Sequence, residues 1–195
     1  MQKMPASPPV YDFSQEICCY ISVDVEASGP NPGGYSLLSI GACTVTKPRS
    51  SFYVELRPVN EGFTPEAMAI NGLSLEELAV RGLPPSEAMA SFERWLQQLP
   101  GATKPIFVAF NAAFDWMFVC DYFHRYLGRN PFGHSPLDIK ALYMGLHGVT
   151  WAESSLRNAS GRYLHSQPLT HHALDDASAQ ADIFEKMLIE LTSRR

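Results

Sequence analysis

The chain has 195 residues, of which 46% are hydrophobic and 11% aromatic, and its formal net charge at pH 7 is −5. This length and composition suit a single α/β domain with a sizeable core, and they exclude a largely disordered chain. The negative charge argues against a protein that wraps long nucleic-acid duplexes, since such proteins use many cations to neutralise phosphates.

Residues 1–15 contain three prolines and little apolar periodicity. This composition predicts a flexible leader at residues 1–15, followed by one domain at residues 16–195. The sequence has no apparent secretory signal and no apolar run of about 18 residues, so we expect no membrane span. The four cysteines lie in apolar segments without a C-x-x-C pair, which favours buried thiols in a reducing cytoplasm.

The domain is predicted to begin with three strands, at residues 17–25, 37–46 and 51–57. These segments are rich in β-branched and aromatic residues, and short turns between them permit an antiparallel meander. The period then changes to that of helices. Thr64 and Ser74 are predicted to cap two short helices, and a third is expected over residues 85–99.

The second half alternates strands and helices. We predict strands at residues 105–110 and near residue 136. Helices are expected over 111–127, from Asp138 to 146, over 153–160 and over 172–192. Strands separated by helices are added in parallel, so the expected fold is α/β and ribonuclease H-like. Its mixed five-stranded sheet has three antiparallel strands, then parallel additions, and helices flank it.

Four acidic residues border the predicted core. Asp24 and Glu26 share one face of the first strand, because side chains alternate along a strand. A helical projection centred on Phe123 places Asp115 at the margin of the buried stripe, and the same treatment of the last helix selects Asp176 over Asp175. Each acid alone has an ordinary explanation, as a solvated strand end or as an acid at a helix start.

Together the four acids indicate metal-dependent phosphodiester hydrolysis. Two divalent ions can stabilise the attacking and leaving oxygens of this reaction, and Mg²⁺ or Mn²⁺ prefers carboxylate ligands. His171 precedes the last helix, and an imidazole is well matched to accepting a proton near neutral pH. The sequence therefore predicts two divalent metal ions, Mg²⁺ or Mn²⁺, with His171 as a general base.

Three ordered motifs make the chain resemble the DEDD exonucleases of the DnaQ-like group, in the subgroup with histidine in the last motif. Asp24-x-Glu26 lies in YISVDVEASGP, Asn111-x-x-Phe114-Asp115 in VAFNAAFDW, and His171 five residues before Asp176 in HHALDDASAQA. The resemblance covers roughly residues 17–190. Relatives include ribonuclease T, oligoribonuclease and the proofreading epsilon subunit of bacterial DNA polymerase III.

The resemblance implies a 3′-5′ exonuclease that acts on the 3′ ends of single-stranded RNA or DNA, including short oligonucleotides, and releases nucleoside 5′-monophosphates. In such an enzyme Asp24, Glu26, Asp115 and Asp176 would hold the metals and His171 would take a proton from water. It also implies homodimerisation. The residues expected to contact substrate are Ala27, Ser28, Gly29, Met68, Ile70, Asn111 and Phe114. The chain departs from many relatives in Ala27-Ser28-Gly29, where they have a Thr-Thr-Gly or Thr-Gly pattern.

Two alternatives stay open at the level of sequence. The same fold could bind nucleic-acid ends without hydrolysing them, or it could serve as a DNA-specific proofreading or repair exonuclease. All five expected catalytic positions are filled, which favours an enzyme. No residue reveals whether ribose or deoxyribose is preferred, since only the 2′-hydroxyl distinguishes them locally.

Overall fold

A computed structural model describes residues 20–100, 104–164 and 171–193, so the predicted leader lies outside the described residues. The sheet has five strands in the order β3-β2-β1-β4-β5. Strands β1, β2 and β3 pair antiparallel, whereas β4 joins β1 in parallel and β5 joins β4 in parallel. The strands are β1 Tyr20–Ala27, β2 Leu37–Thr44, β3 Ser51–Glu55, β4 Ile106–Ala109 and β5 Leu137–Asp138. The predicted mixed sheet is confirmed.

Seven helices flank this sheet in the described part of the chain. They are α1 Pro65–Asn71, α2 Leu75–Arg81, α3 Pro85–Gln98, α4 Ala113–Leu127, α5 Ile139–His147, α6 Leu156–Tyr163 and α7 Ala173–Ser193. The predicted caps are present: the side chains of Thr64, Ser74 and Asp138 accept hydrogen bonds from backbone amides in the first turns that follow. Such bonds satisfy amides that a helix start leaves unpaired.

Two helices start two or three residues later than predicted. Helix α4 begins at Ala113 and not at residue 111, because Asn111 has a φ of 60°, which is not helical. Helix α6 begins at Leu156 and not at residue 153, because Ser155 supplies the cap and accepts from the amide of Asn158.

The core has two layers, one on each face of the sheet. One layer packs α3 and α4 against alternate residues of β1, such as Ile21, Val23 and Val25. The other layer contains Tyr20 with residues of α5, α6 and α7, including Phe184. Since side chains alternate, Asp24 and Glu26 share the face of Tyr20 and therefore face the α7 layer. None of the helices described combines the length and hydropathy that crossing a bilayer requires.

A glycine brings α7 close to the sheet. Gly41 of β2 lies directly opposite Asp24 in the antiparallel register. A Cβ atom at Gly41 would lie 2.2 Å from the backbone carbonyl carbon of Ala173 and from the amide nitrogen of Leu174. Only glycine permits this approach, which places the first turn of α7 over the end of β1.

Candidate active site

The centre of the site is the carboxyl end of β1. Asp24 and Glu26 extend from the same face, and the strand register is broken by a bulge between Glu26 and Ala27. Both acids are half-buried on the face of the sheet that α7 covers.

Asp115 reaches the same strand from α4. Its Oδ1 accepts a hydrogen bond from the amide of Val25 at 3.0 Å, and its side chain is 5% exposed. The placement at the margin of the buried stripe was wrong, because the stripe runs through positions 115, 118, 119, 122 and 123. Phe118 and Tyr122, which the projection did not select, are fully buried, so Asp115 lies within the stripe.

The third element is the loop before α7 and its first turn. Asp176 is 4% exposed, and its Oδ2 accepts a hydrogen bond from the amide of His171 at 3.0 Å. His171 has a φ of 54°, an uncommon backbone conformation for a residue with a side chain. One ligand atom each from Glu26, His171 and Asp176 lie within 4.8 Å of one another.

The neighbouring histidine and aspartate have other surroundings. The ring of His172 stacks on Tyr53 of β3 with centroids 4.6 Å apart. Asp175 has a side chain that is 63% exposed and lies 3.5 Å from the Nδ1 atom of His172. The structure thus brings His171 and Asp176 to the acids of β1, in the register that the sequence favoured.

Burial and mutual repulsion raise the pKa values of Asp24, Glu26 and Asp115. Burial raises the pKa of Glu26 to about 7, with a further contribution from the charge of Asp176. Burial likewise raises the pKa of Asp115 to about 8, although the hydrogen bond from Val25 opposes the change. The pKa of Asp24 is well above its ordinary value, first because of burial and then because of the charges of Asp115, Glu26 and Asp176.

This electrostatic arrangement fits a divalent cation. A cation between the carboxylates would remove the repulsion that disfavours their ionised forms, and oxygen ligands suit hard divalent ions. A cavity of about 200 Å³ lies between the groups concerned. Its lining includes all four acids and His171, together with Asn111 and Phe114.

A second, less polar cavity adjoins the first. It has a volume of about 410 Å³ and shares Glu26 and Phe114 with the carboxylate cavity. Of the residues predicted to contact substrate, Ala27, Gly29 and Ile70 line this apolar cavity. Sequence analysis did not select Pro30, Thr64 and Ala67, which also line it.

Two residues predicted to contact substrate, Ser28 and Met68, line neither cavity. Ser28 is fully buried, its amide donates to the carbonyl of Ser36 and its carbonyl accepts from Thr64. Ser28 therefore holds the loop between β1 and β2 against the start of α1. Met68 lies on α1 but is absent from the lining of both cavities.

Gln180 contacts the acids and was not predicted. It is 2% exposed, and its Nε2 donates to Oδ1 of Asp24 at 2.6 Å. The signal was available in the sequence, since Gln180 follows Asp176 by four residues and therefore lies on the same face of α7. An amide within a buried stripe requires hydrogen-bond partners in the core.

Residues 21–184 match the model of the RNase_T family, described as exonuclease. The protein "3′-5′ DNA exonuclease Cap18" of Escherichia coli is 44% identical over 180 residues, which covers 90% of this chain and 94% of that protein. The residues that match the family model include the linings of both cavities and all three motifs.

Solved structures share the fold at lower identity. The nuclease domain of 3′hExo, described as a DEDDh family member bound to rAMP, superposes with a TM-score of 0.69 at 15% identity, covering 87% of this chain and 91% of that one. A 3′-exonuclease solved with a histone mRNA stem-loop gives 0.70 at 16% identity. The alignment covers 87% of this chain but 63% of that chain. The chain belongs to the RNase_T exonuclease family and is a 3′-5′ exonuclease.

Proposed function

We propose that this enzyme shortens single-stranded DNA from its 3′ end, one nucleotide at a time, with two divalent cations, Mg²⁺ or Mn²⁺, and releases nucleoside 5′-monophosphates. The observation that carries the proposal is the convergence of four acids from β1, α4 and α7 on one cavity of about 200 Å³. An apolar cavity of about 410 Å³ adjoins it and offers room for the terminal nucleotide.

The preference for DNA rests on the relative from Escherichia coli. That protein is named a DNA exonuclease, and the 44% identity extends over nearly the whole of both chains. The likeness to solved structures that contain RNA or a ribonucleotide is at 15–16% identity and supports only the fold.

The acids divide into two ligand sets. Asp24 lines the same cavity as Asp115, Glu26 and Asp176, which supports a role for it in both sets. Glu26 and Asp176 would complete one set beside His171, and Asp115 would complete the other. When bound, two such cations stabilise the attacking and leaving oxygens of the phosphodiester and favour ionisation of water.

His171 is the proposed general base. Its side chain is exposed to solvent, and its backbone is held by the bond from its amide to Asp176. A neutral imidazole nitrogen can accept the proton of the attacking water while the new oxygen–phosphorus bond forms. The bond from phosphorus to the 3′ oxygen of the preceding nucleotide breaks, and that oxygen takes a proton from solvent to become the new 3′ hydroxyl. Asp176 thus both contributes to a ligand set and fixes the loop that carries the base.

The apolar cavity supplies the contact with the terminal nucleoside. Ile70 is 56% exposed at its rim, and Phe114 lies between the two cavities. Apolar and aromatic side chains can pack against any base, which is consistent with removal of successive nucleotides without sequence preference.

The test uses DNA and RNA strands of the same sequence, labelled at either the 3′ or the 5′ end. Each is incubated with Mg²⁺, Mn²⁺ or EDTA. We expect immediate release of labelled mononucleotide from 3′-labelled DNA, a descending ladder from 5′-labelled DNA, and no reaction in EDTA. Faster degradation of RNA would overturn the DNA preference alone, whereas products that are not 5′-monophosphates would overturn the proposed chemistry.

A further inference from the structure

Gln180 connects three elements of the site through one side chain. It is almost fully buried on α7, one turn after Asp176. Its Oε1 accepts a hydrogen bond from the backbone amide of Phe110 at 2.8 Å, and its Nε2 donates to Oδ1 of Asp24 at 2.6 Å. Phe110 directly follows β4, so the side chain links β1, β4 and α7.

The chemistry of these partners fixes the orientation of the amide. A backbone N–H can only donate, so the atom of Gln180 that faces Phe110 must be the oxygen. The nitrogen then faces Asp24 and must donate to it. If the side-chain amide of Gln180 were flipped, its nitrogen would face the buried N–H of Phe110, which would then be left unpaired.

The hydrogen bond from Gln180 constrains the carboxylate of Asp24. Oδ1 of Asp24 accepts a hydrogen bond from a donor on a packed helix. This contact restricts rotation of the carboxylate and so sets the directions of its remaining lone pairs. The donor also favours the ionised form of Asp24, opposing the effect of burial on its pKa. Partners of this kind orient metal-binding groups, and their removal typically weakens metal binding by roughly 10–100-fold.

We propose that Gln180 is a positioning residue that fixes the Asp24 carboxylate in the orientation required for cation binding. This inference rests on the proposed metal site. The alternative is a purely structural role, in which the bond to Phe110 anchors β4 to α7 and the contact with Asp24 is incidental.

The test compares Gln180→Met with the unaltered protein by titrating the full chain with Mn²⁺ in a calorimeter. Methionine keeps the length of the side chain and removes both hydrogen bonds. Tyr122→Phe is the matched control, because Tyr122 also accepts a bond from a buried backbone amide, that of Leu37 at 2.9 Å, but lines neither of the two cavities of the site. We expect Gln180→Met to bind Mn²⁺ at least about 10-fold more weakly, and Tyr122→Phe to bind it normally.

The outcomes separate the two proposals. Normal Mn²⁺ affinity in a folded Gln180→Met protein would overturn the positioning role. Failure of the unaltered protein to bind Mn²⁺ would instead overturn the metal site on which it rests. Equal weakening in both variants would show a general effect of lost buried hydrogen bonds and would likewise reject the proposal.

A second measurement covers the case in which Gln180→Met does not fold. In the unaltered ¹⁵N-labelled protein, the side-chain amide of Gln180 can be identified by its contact with the amide proton of Phe110. We expect this signal to exchange slowly with solvent and to shift when Mg²⁺ is added. A signal that is unchanged at saturating Mg²⁺ would contradict the proposed coupling between Gln180 and the cation.

Discussion

Two histidines stand next to each other before α7, and their surroundings differ. His171 lies beside Glu26 and Asp176, whereas the ring of His172 stacks on Tyr53. We expect His171→Ala to lower kcat by roughly 10²–10⁴-fold, the usual contribution of a general base. The control His172→Ala should retain most activity, because its ring makes contacts on β3.

The affinity for Mn²⁺ distinguishes a general base from a metal ligand at His171. If His171 acts only as a base, His171→Ala should bind Mn²⁺ with the affinity of the unaltered protein. A large loss of Mn²⁺ affinity would show that His171 is a ligand and would reject its assignment as the base.

Ile70 is exposed, so its replacement should weaken the binding of DNA and have little effect on the stability of the protein. Removing three carbons at the rim of the apolar cavity should raise KM for DNA, by up to about 60-fold if all of them contact the terminal nucleoside. The melting temperature of Ile70→Ala should change little, since Ile70 is 56% exposed. Val80→Ala on α2, at an 84% exposed position, is the control and should leave KM unchanged. An unchanged KM in Ile70→Ala would place the terminal nucleoside elsewhere.

The residues that the sequence identified are those with a strong local signal. Asp24 and Glu26 end a buried strand, and Asp176 precedes a long apolar stripe. The lining residues Pro30 and Ala67 were missed because the cavity that they border forms only in the folded chain, whereas Gln180 could have been found from its spacing of four residues after Asp176. Ser28 was expected to contact substrate because of the family resemblance, yet its hydroxyl donates to the carbonyl of Gly62 and accepts from the amide of Ser36, which gives it a role in holding the loop.

Helix α7 can pack this close to the sheet because Gly41 has no side chain. An added methyl group would meet backbone atoms of Ala173 and Leu174 at about 2.2 Å, and backbone cannot move aside as a flexible side chain can. We expect Gly41→Ala to reduce stability by roughly 1–3 kcal/mol and to weaken Mn²⁺ binding, because Asp176 and His171 would shift with the first turn of α7.

Gly145 in α5 provides the matched control. A Cβ atom at Gly145 meets nothing within 4 Å, and the residue is helical. Gly145→Ala should therefore raise stability by up to about 1 kcal/mol. Thermal unfolding and Mn²⁺ titration of both variants check the prediction. Normal Mn²⁺ affinity in Gly41→Ala would show that α7 can retreat without disturbing the site.

Element types were predictable, whereas their exact bounds and lateral arrangement were less so. The strands and helices follow from β-branched runs, capping side chains and helical periodicity. The late start of α4 depends on the φ of Asn111, which precedes Ala112, whose amide donates to Asp138 of the sequence-distant strand β5. Such features are set by tertiary contacts that no local pattern contains.

The folding stability of the whole molecule depends on pH because the acids are clustered. Folding raises the pKa of Glu26 from 4.5 to about 7 and that of Asp115 from 3.8 to about 8. The folded state therefore binds more protons than the unfolded state between these values. The stabilising effect is fully present below about pH 4 and is lost as the pH rises through about 7 to 8.

We expect the melting temperature in EDTA to fall between pH 5.5 and 8.5, if these acids dominate the proton balance. Glu26→Gln should show a smaller fall, because one titrating group is removed. Added Mg²⁺ should raise the melting temperature more at the higher pH, since cations bind the ionised carboxylates. A metal-dependent increase that is larger at pH 5.5 would contradict this electrostatic account.

The most direct test of the central claim is to locate the cations. Crystals grown with Mn²⁺ and a nucleoside 5′-monophosphate would be measured for anomalous scattering. The account predicts two peaks in the cavity between β1, α4 and α7, one beside Glu26 and Asp176 and one beside Asp115, with Asp24 contacting both. A single fully occupied peak, or peaks that lie away from these four acids, would contradict the two-cation site.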